Sequence, residues 1–204
     1  MAKYMYYTTG IVILTLGVTL TIQSDLGVSP FDALLVGLAA NLGLTVGSWE
    51  VIIAFILIGC NSMLKKQKPE FSGLLTALIT GISIDVWLFS LGTFVTPELW
   101  VTKFLCFSIG LLTIGMGTAI YLYADLAPIP VDRFMLIIRE LTKMNIWLTK
   151  TIIYILFLSL SLLFQGPVGV GTILAVCLGG PILHYCMALT DFKLKPPSSK
   201  QTGI

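Results

Sequence analysis

The chain contains an internal repeat with a spacing of one hundred residues. The segment DLGVSPFD begins at Asp25 and the segment DLAPIPVD begins at Asp125, so two aspartates, a leucine and a proline recur at the same offsets. The register extends beyond this segment in both directions. The further matching pairs are Gly10 and Gly110, Gly17 and Gly117, Ile52 and Ile152, and Ile53 and Ile153. An ordered set of matches across both halves indicates a duplicated unit.

Composition indicates the solvent in which this duplicated chain folds. Apolar residues make up 56% of the sequence and charged residues only 11%, with a mean hydropathy of +0.96. Such a chain cannot cover a water-soluble surface, so we expect an all-α membrane protein whose main partner is the lipid bilayer. Six apolar runs are long enough to cross a hydrocarbon core of roughly 30 Å. They cover residues 7–24, 49–64, 71–91, 104–123, 147–164 and 168–189.

A shorter apolar element lies between the first two runs of each half, at residues 30–44 and 130–144. The second element carries Arg133, Glu140 and Lys143 on one face, which is typical of a helix in the interface. If neither element crosses, each half crosses three times and the second half is inverted. The sequence therefore predicts a single membrane domain over residues 1–204. It has six transmembrane helices as two inverted three-helix repeats, at residues 7–91 and 104–189, each with a short re-entrant or interfacial helix.

The distribution of basic residues agrees with this topology, because Lys and Arg collect on the cytoplasmic side. With the N-terminus inside, Lys103 is the one basic residue on the far side. We therefore predict cytoplasmic N- and C-termini, a retained first span and a short cytoplasmic tail at 190–204. The basic residues on the inner side are Lys65, Lys66, Lys68, Arg133, Arg139, Lys143, Lys193, Lys195 and Lys200.

The segment LGVSPFDALLVGL at residues 26–38, followed by GLTVG at residues 43–47, resembles the signature of the YczE/YyaS/YitT-like bacterial membrane proteins, in particular the YczE-type branch. The resemblance covers the whole chain in length and span pattern and is most specific over residues 17–59. It implies a multi-pass protein of the bacterial cytoplasmic (inner) membrane that works as a permease. The second copy departs from the signature, because Ile129 stands where the first copy has Ser29.

Within this signature, Ser29 and Asp32 have two interpretations. Ser29 at the N-cap, Pro30 at the first helical position and Asp32 at the third form a capping box, which satisfies amides that have no solvent in lipid. Alternatively, the positive end of the helix binds an anionic group of a substrate, or Asp32 binds a cation or proton. The two roles are compatible.

Other polar residues within the apolar runs are further candidates for substrate or ion binding. Asp85 is the most deeply placed carboxylate, and such residues are costly in lipid unless they face a cavity or a partner. Asp132 is the counterpart of Asp32 in the second copy. His184 could relay protons or serve as a hydrogen-bonded structural residue. Glu50 is interpreted as an acid at a helix start.

Small residues at helical spacing predict close helix packing. One face carries Gly73, Ala77 and Gly81, and the other carries Gly171, Ala175 and Gly179, so we expect these faces to meet at the pseudo-symmetric seam. The cysteines lack the spacing of a metal or redox site, and the chain has no catalytic motif. We therefore expect no enzymatic activity, catalytic residue, metal, cofactor or nucleic-acid partner.

These features predict a small-solute secondary transporter with its site at the interface between the repeats. The alternative is a non-transporting membrane partner, either a scaffold or a substrate-binding subunit for another protein. A homodimer is an open alternative to a monomer in both cases.

The topology can be tested by labelling single cysteines in a cysteine-free background. We expect Lys66→Cys to be shielded from a membrane-impermeant maleimide in intact cells, and Val168→Cys to be labelled. Labelling of Lys66→Cys before permeabilisation would exclude the predicted topology.

Overall fold

The computed structural model describes residues 2–124 and 126–194. Within these ranges all regular secondary structure is α-helical, and short loops connect the helices. Asp125, Lys195 and Lys200 lie outside these ranges. The eight helices of the described ranges are α1 (Ala2–Gln23), α2 (Pro30–Leu42), α3 (Val46–Lys65), α4 (Ser72–Leu91), α5 (Trp100–Tyr123), α6 (Pro130–Thr142), α7 (Ile146–Leu163) and α8 (Val170–Leu194). Helices α1 to α4 correspond to α5 to α8 in order and position. Helix α8 extends to Leu194, so the segment predicted as tail begins within a helix.

Five of the described helices, namely α1, α3, α4, α5 and α8, are long and apolar enough to cross a membrane. The prediction of an all-α membrane protein is thus confirmed, and the sixth crossing stays a prediction. Helix α7 covers 18 residues, but its apolar stretch at Leu148–Leu163 is shorter. Helices α2 and α6 have 13 residues each, or about 20 Å, which is too short for a membrane core.

The starts of α3 and α7 are capped at equivalent positions of the two halves. Thr45 accepts a hydrogen bond from the amide of Ser48 at the start of α3, and Asn145 does the same for Leu148 at the start of α7. The duplication therefore includes the N-cap of this helix pair, which satisfies an amide that would otherwise lack a partner.

Helices α1 and α5 form the seam between the halves. A Cβ atom on Gly17 would lie 2.6 Å from the carbonyl oxygen of Gly110, and one on Gly10 would lie 2.5 Å from the amide nitrogen of Tyr121. Residue numbers rise along α1 as they fall along α5, so the two helices run antiparallel. Only glycine permits this approach, because any side chain would overlap the facing backbone.

The predicted seam was therefore wrong. Gly81 packs against Gly47 within the first half, and Gly171 packs against Gly27 and Phe107. No atom lies within 4 Å of a Cβ placed on Gly179. Small residues at regular spacing indicate close packing, but the spacing does not specify the partner helix.

The two halves differ in how their last helices pack. Helix α3 lies close against α4, whereas α7 and α8 make no comparable contact in the described part of the chain. A Cβ on Gly47 would overlap the carbonyl oxygen of Gly81. The sequence has Trp147 at the position equivalent to Gly47, so the second half lacks the glycine that this contact requires.

The contact between α3 and α4 can be tested with Gly47→Ala. We expect this variant to lose about 1–3 kcal/mol of stability, because the added methyl group forces the helices apart. Gly59→Ala on the same helix is the control, because no atom lies within 4 Å of its Cβ position. The control should keep or slightly raise stability, since alanine favours a helix by roughly 0.5–1 kcal/mol over glycine. Thermal unfolding in detergent measures both, and equal stability of the two variants would contradict the contact.

Candidate functional site

A central cavity with a volume of about 210 Å³ lies between the two halves, and all eight described helices contribute to its lining. This volume is smaller than the roughly 300–1,000 Å³ of pockets for drug-sized ligands, so the cavity suits a solute of few heavy atoms. The polar lining residues are Thr21, Ser29, Asp32, Glu50, Thr80, Thr118, Tyr121, Asp132, Lys150 and Tyr154.

The start of α2 places Ser29 and Asp32 at this cavity. The Ser29 hydroxyl accepts a hydrogen bond from the Asp32 amide at 3.2 Å, and lies 2.6 Å from the Asp32 carboxylate, to which it donates. The predicted cap at Ser29 is therefore confirmed. The geometry also allows a second role, because the capped helix directs its positive end and a carboxylate toward the cavity.

The start of α6 places Asp132 at the same cavity without a capping serine. Its carboxylate accepts a hydrogen bond of 2.8 Å from the hydroxyl of Tyr121, a side chain on α5 that is only 2% exposed. Tyr121 thus provides the hydroxyl that Ile129 lacks. Asp32 and Asp132, which the repeat predicts as counterparts, line one cavity, and each accepts one hydroxyl hydrogen bond from the described residues.

Glu50 and Lys150 occupy equivalent positions in the two halves and carry opposite charges. Glu50 is 3% exposed and interacts electrostatically with Asp32 and Asp132. The Lys150 ammonium interacts with Asp132 and lies 5.2 Å from the centre of the Tyr154 ring. Sequence reasoning missed this pair, because Glu50 was interpreted as an acid at a helix start. The signal was present in the repeat, since Glu50 and Lys150 are one hundred residues apart.

Three carboxyl groups and one ammonium group therefore line the cavity, together with several hydroxyls. Charged groups in a low-dielectric interior are costly unless they are paired, protonated or bound to a ligand. The arrangement can bind a small polar or charged solute by charge and by hydrogen bonds. Among the described residues, no group of three or more His, Cys, Asp and Glu side chains has the geometry of a metal site.

Asp85 does not line this cavity. Its carboxylate accepts hydrogen bonds from the Thr45 hydroxyl at 2.6 Å and from the Gly47 amide at 2.9 Å. These contacts stabilise the first turn of α3 against α4. His184 lies on α8 with an exposed side chain and also takes no part in the cavity. The structure thus separates two of the five predicted site residues from the other three.

Ion pairs lie at the ends of the helices, away from the cavity. Lys103 pairs with Asp25 at 2.7 Å, and this links the start of α5 to the end of α1. Lys65 pairs with Glu140 and Arg133 pairs with Glu70, both at 2.7 Å. The hydrogen bond and charge of Lys65 hold the pKa of Glu140 below its usual range. Exposed pairs of this kind add little stability, so they restrain the helix ends only weakly.

The structural role of Asp85 can be tested with Asp85→Leu and Asp85→Asn. We expect Asp85→Leu to lose about 1–3 kcal/mol of stability, because the amide of the buried Gly47 and the Thr45 hydroxyl lose their acceptor. Asp85→Asn retains a carbonyl acceptor and should lose less. Thermal unfolding distinguishes the two. A direct role at the cavity would instead predict that Asp85→Asn unfolds like the parent and no longer binds ligand.

Sequence comparisons identify the relatives of this chain. Residues 1–188 match the family described as "Family of unknown function (DUF6198)". The chain is 54% identical over 189 residues to the uncharacterized protein YyaS of Bacillus subtilis, covering 93% of this chain and 94% of that protein. It is 34% identical over 188 residues to the uncharacterized membrane protein YczE of the same organism, covering 91% and 85%.

A third relative is an uncharacterized protein of Haemophilus influenzae, 28% identical over 174 residues that cover 85% of this chain and 78% of that protein. No solved structure matches the chain. The predicted relationship to the YczE- and YyaS-like membrane proteins is confirmed. The protein therefore belongs to the DUF6198 family.

Proposed function

We propose that this protein is a secondary transporter for a small solute in the bacterial cytoplasmic membrane. It crosses the bilayer six times, as two inverted three-helix repeats, and its solute site is the central cavity. Helix α7 provides the sixth crossing, and α2 and α6 enter the membrane without crossing it. Both termini face the cytoplasm.

The pairing of equivalent residues at one cavity carries this proposal. Positions 32 and 132, and positions 50 and 150, come from opposite halves and line the same space. Transporters built from inverted repeats bind their solutes between the repeats, where helix ends point at the substrate. The starts of α2 and α6 are helix ends of this kind.

The antiparallel seam supports the same function. In an inverted-repeat transporter, the two halves exchange conformations, so that the site opens to one side and then to the other. Equivalent helices must then point in opposite directions, as α1 and α5 do. The ion pairs of the helix ends are exposed and weak, so their exchange is compatible with such a movement.

One observation favours the alternative of a non-transporting membrane partner. Helix α8 is the least buried of the five long apolar helices, because only 11% of the residues in its most apolar stretch are buried inside the protein. A Cβ atom on Gly180, which does not line the cavity, would meet no atom within 4 Å, so a second helix could approach this face of α8 closely. This surface fits a partner protein, as the alternative requires, or a second copy of the chain.

Access to the cavity from both sides of the membrane distinguishes a transporter from a scaffold. We expect Thr118→Cys, with Cys60, Cys106, Cys177 and Cys186 replaced, to react with an impermeant maleimide in right-side-out and in inside-out vesicles. Thr118 lines the cavity and is close to cysteine in size. Reaction from both sides requires that the cavity opens alternately, or that it forms a continuous pore.

Leu112→Cys on the same helix is the matched control. Leu112 is 52% exposed on the apolar surface, so its thiol should stay in lipid and react from neither side. Passage of the maleimide itself through vesicles that carry the parent protein would indicate a pore. Reaction of Thr118→Cys from one side only, or from neither, would contradict the transporter proposal.

A further inference from the structure

We propose that the central cavity binds a small organic cation with an ammonium group, and that Glu50 is its principal counter-charge. This inference names the substrate class of the proposed transporter, so it rests on the proposed function of the cavity. It depends on three observations: the burial and the neighbours of Glu50, the excess of acidic over basic groups in the described lining, and the aromatic side chains of the lining.

Glu50 is buried and lines the cavity. Its side chain is 3% exposed, and within residues 2–124 and 126–194 its carboxyl group makes no hydrogen bond or ion pair. Its electrostatic neighbours include Asp32 and Asp132, which carry the same charge. A carboxylate in this environment favours any cation that can enter, because a ligand would compensate both its desolvation and the repulsion of its neighbours.

The described lining of the cavity holds more acidic than basic groups. Lys150 interacts with Asp132, and the Tyr121 hydroxyl donates to the same carboxylate. Among the described residues, the Asp32 carboxylate accepts a side-chain hydrogen bond only from the Ser29 hydroxyl. With Lys150 paired electrostatically with Asp132, no second basic group of the described lining remains for the carboxyl groups of Glu50 and Asp32. A cation therefore fits the cavity better than an anion does.

The composition of the lining favours an organic ammonium ion over a metal ion. The described carboxylates do not converge as metal ligands, whereas Phe31, Phe107 and Tyr154 contribute aromatic surface. Such rings attract ammonium groups at distances up to about 6 Å. Lys150 provides an internal example, since its ammonium group lies 5.2 Å from the centre of the Tyr154 ring.

Lys150 also predicts the direction of a second substitution. Its ammonium group carries the same charge as the proposed ligand and lines the same cavity. Removal of this charge should strengthen the binding of a cation and weaken the binding of an anion. Glu50→Gln and Lys150→Gln should therefore change cation affinity in opposite directions, which a merely destabilising substitution would not do.

The test measures binding to the purified protein in nanodiscs, by calorimetry and by the rise in unfolding temperature that binding produces. The probes are n-alkylammonium chlorides from methyl to hexyl, with sodium carboxylates and alcohols of the same chain lengths as matched anionic and neutral probes. Ionic strength is kept constant with sodium chloride. We expect at least one ammonium ion to bind more tightly than its matched carboxylate and alcohol.

Glu50→Gln should lower the affinity for that ammonium ion by a factor of about ten or more, which corresponds to about 1.4 kcal/mol. Glu50→Asp should restore part of the affinity, and Lys150→Gln should raise it above that of the parent. Glu98→Gln, which removes an exposed carboxylate between α4 and α5, is the control and should bind like the parent. If Glu50→Gln does not fold, the opposite shifts of Glu50→Asp and Lys150→Gln decide the question.

Tighter binding of carboxylates, binding of no ammonium ion by the folded parent, or unchanged affinity in the Glu50 and Lys150 variants would overturn the inference. The result is separate from the test of transport, because binding is measured without flux. Ammonium binding that depends on Glu50, with Thr118→Cys accessible from one side only, would support the cation site and reject the transporter. Reaction of Thr118→Cys from both sides, with no ammonium binding that depends on Glu50, would support a transporter for another class of solute.

Discussion

The close antiparallel contact between α1 and α5 is the interaction on which the rest of the structure depends. Gly17 meets the backbone of Gly110, and Gly117 meets the backbone of Leu14, so the two halves approach without intervening side chains. In lipid, packing of this kind replaces the hydrophobic effect as the source of helix association. The contact brings the starts of α2 and α6 to one cavity, and neither half could form this cavity alone.

The duplication explains why the cavity is polar, and divergence of the copies explains why it is asymmetric. Both copies kept an aspartate at the third helical position, at residues 32 and 132. The hydroxyl that each aspartate needs comes from Ser29 in one half and from Tyr121 in the other. At positions 50 and 150 the copies hold an acidic and a basic residue, so equivalent helices contribute unlike charges to one cavity.

The sequence predicted the elements of this structure better than their contacts. The repeat, the long apolar helices and the cap at Ser29 follow from local patterns, and the structure contains them. Asp85 had the pattern of an intramembrane site, but its partners Thr45 and Gly47 lie about forty residues away, at a distance that no local pattern specifies. Glu50 presented the opposite problem, because an acid in the first turn of a helix has an adequate local explanation. Comparison of the copies at equal offsets was the one sequence signal that linked it to Lys150.

The unequal packing of the last two helices in each half has a mechanical consequence. Helices α3 and α4 are held by backbone contact at Gly47 and Gly81, so they can move only as one body. Helices α7 and α8 lack such a contact in the described residues and can shift separately. If the halves exchange conformations as the proposed transport requires, the movement would not be a symmetric rocking. The first half would then move as the stiffer unit, and the second half would deform.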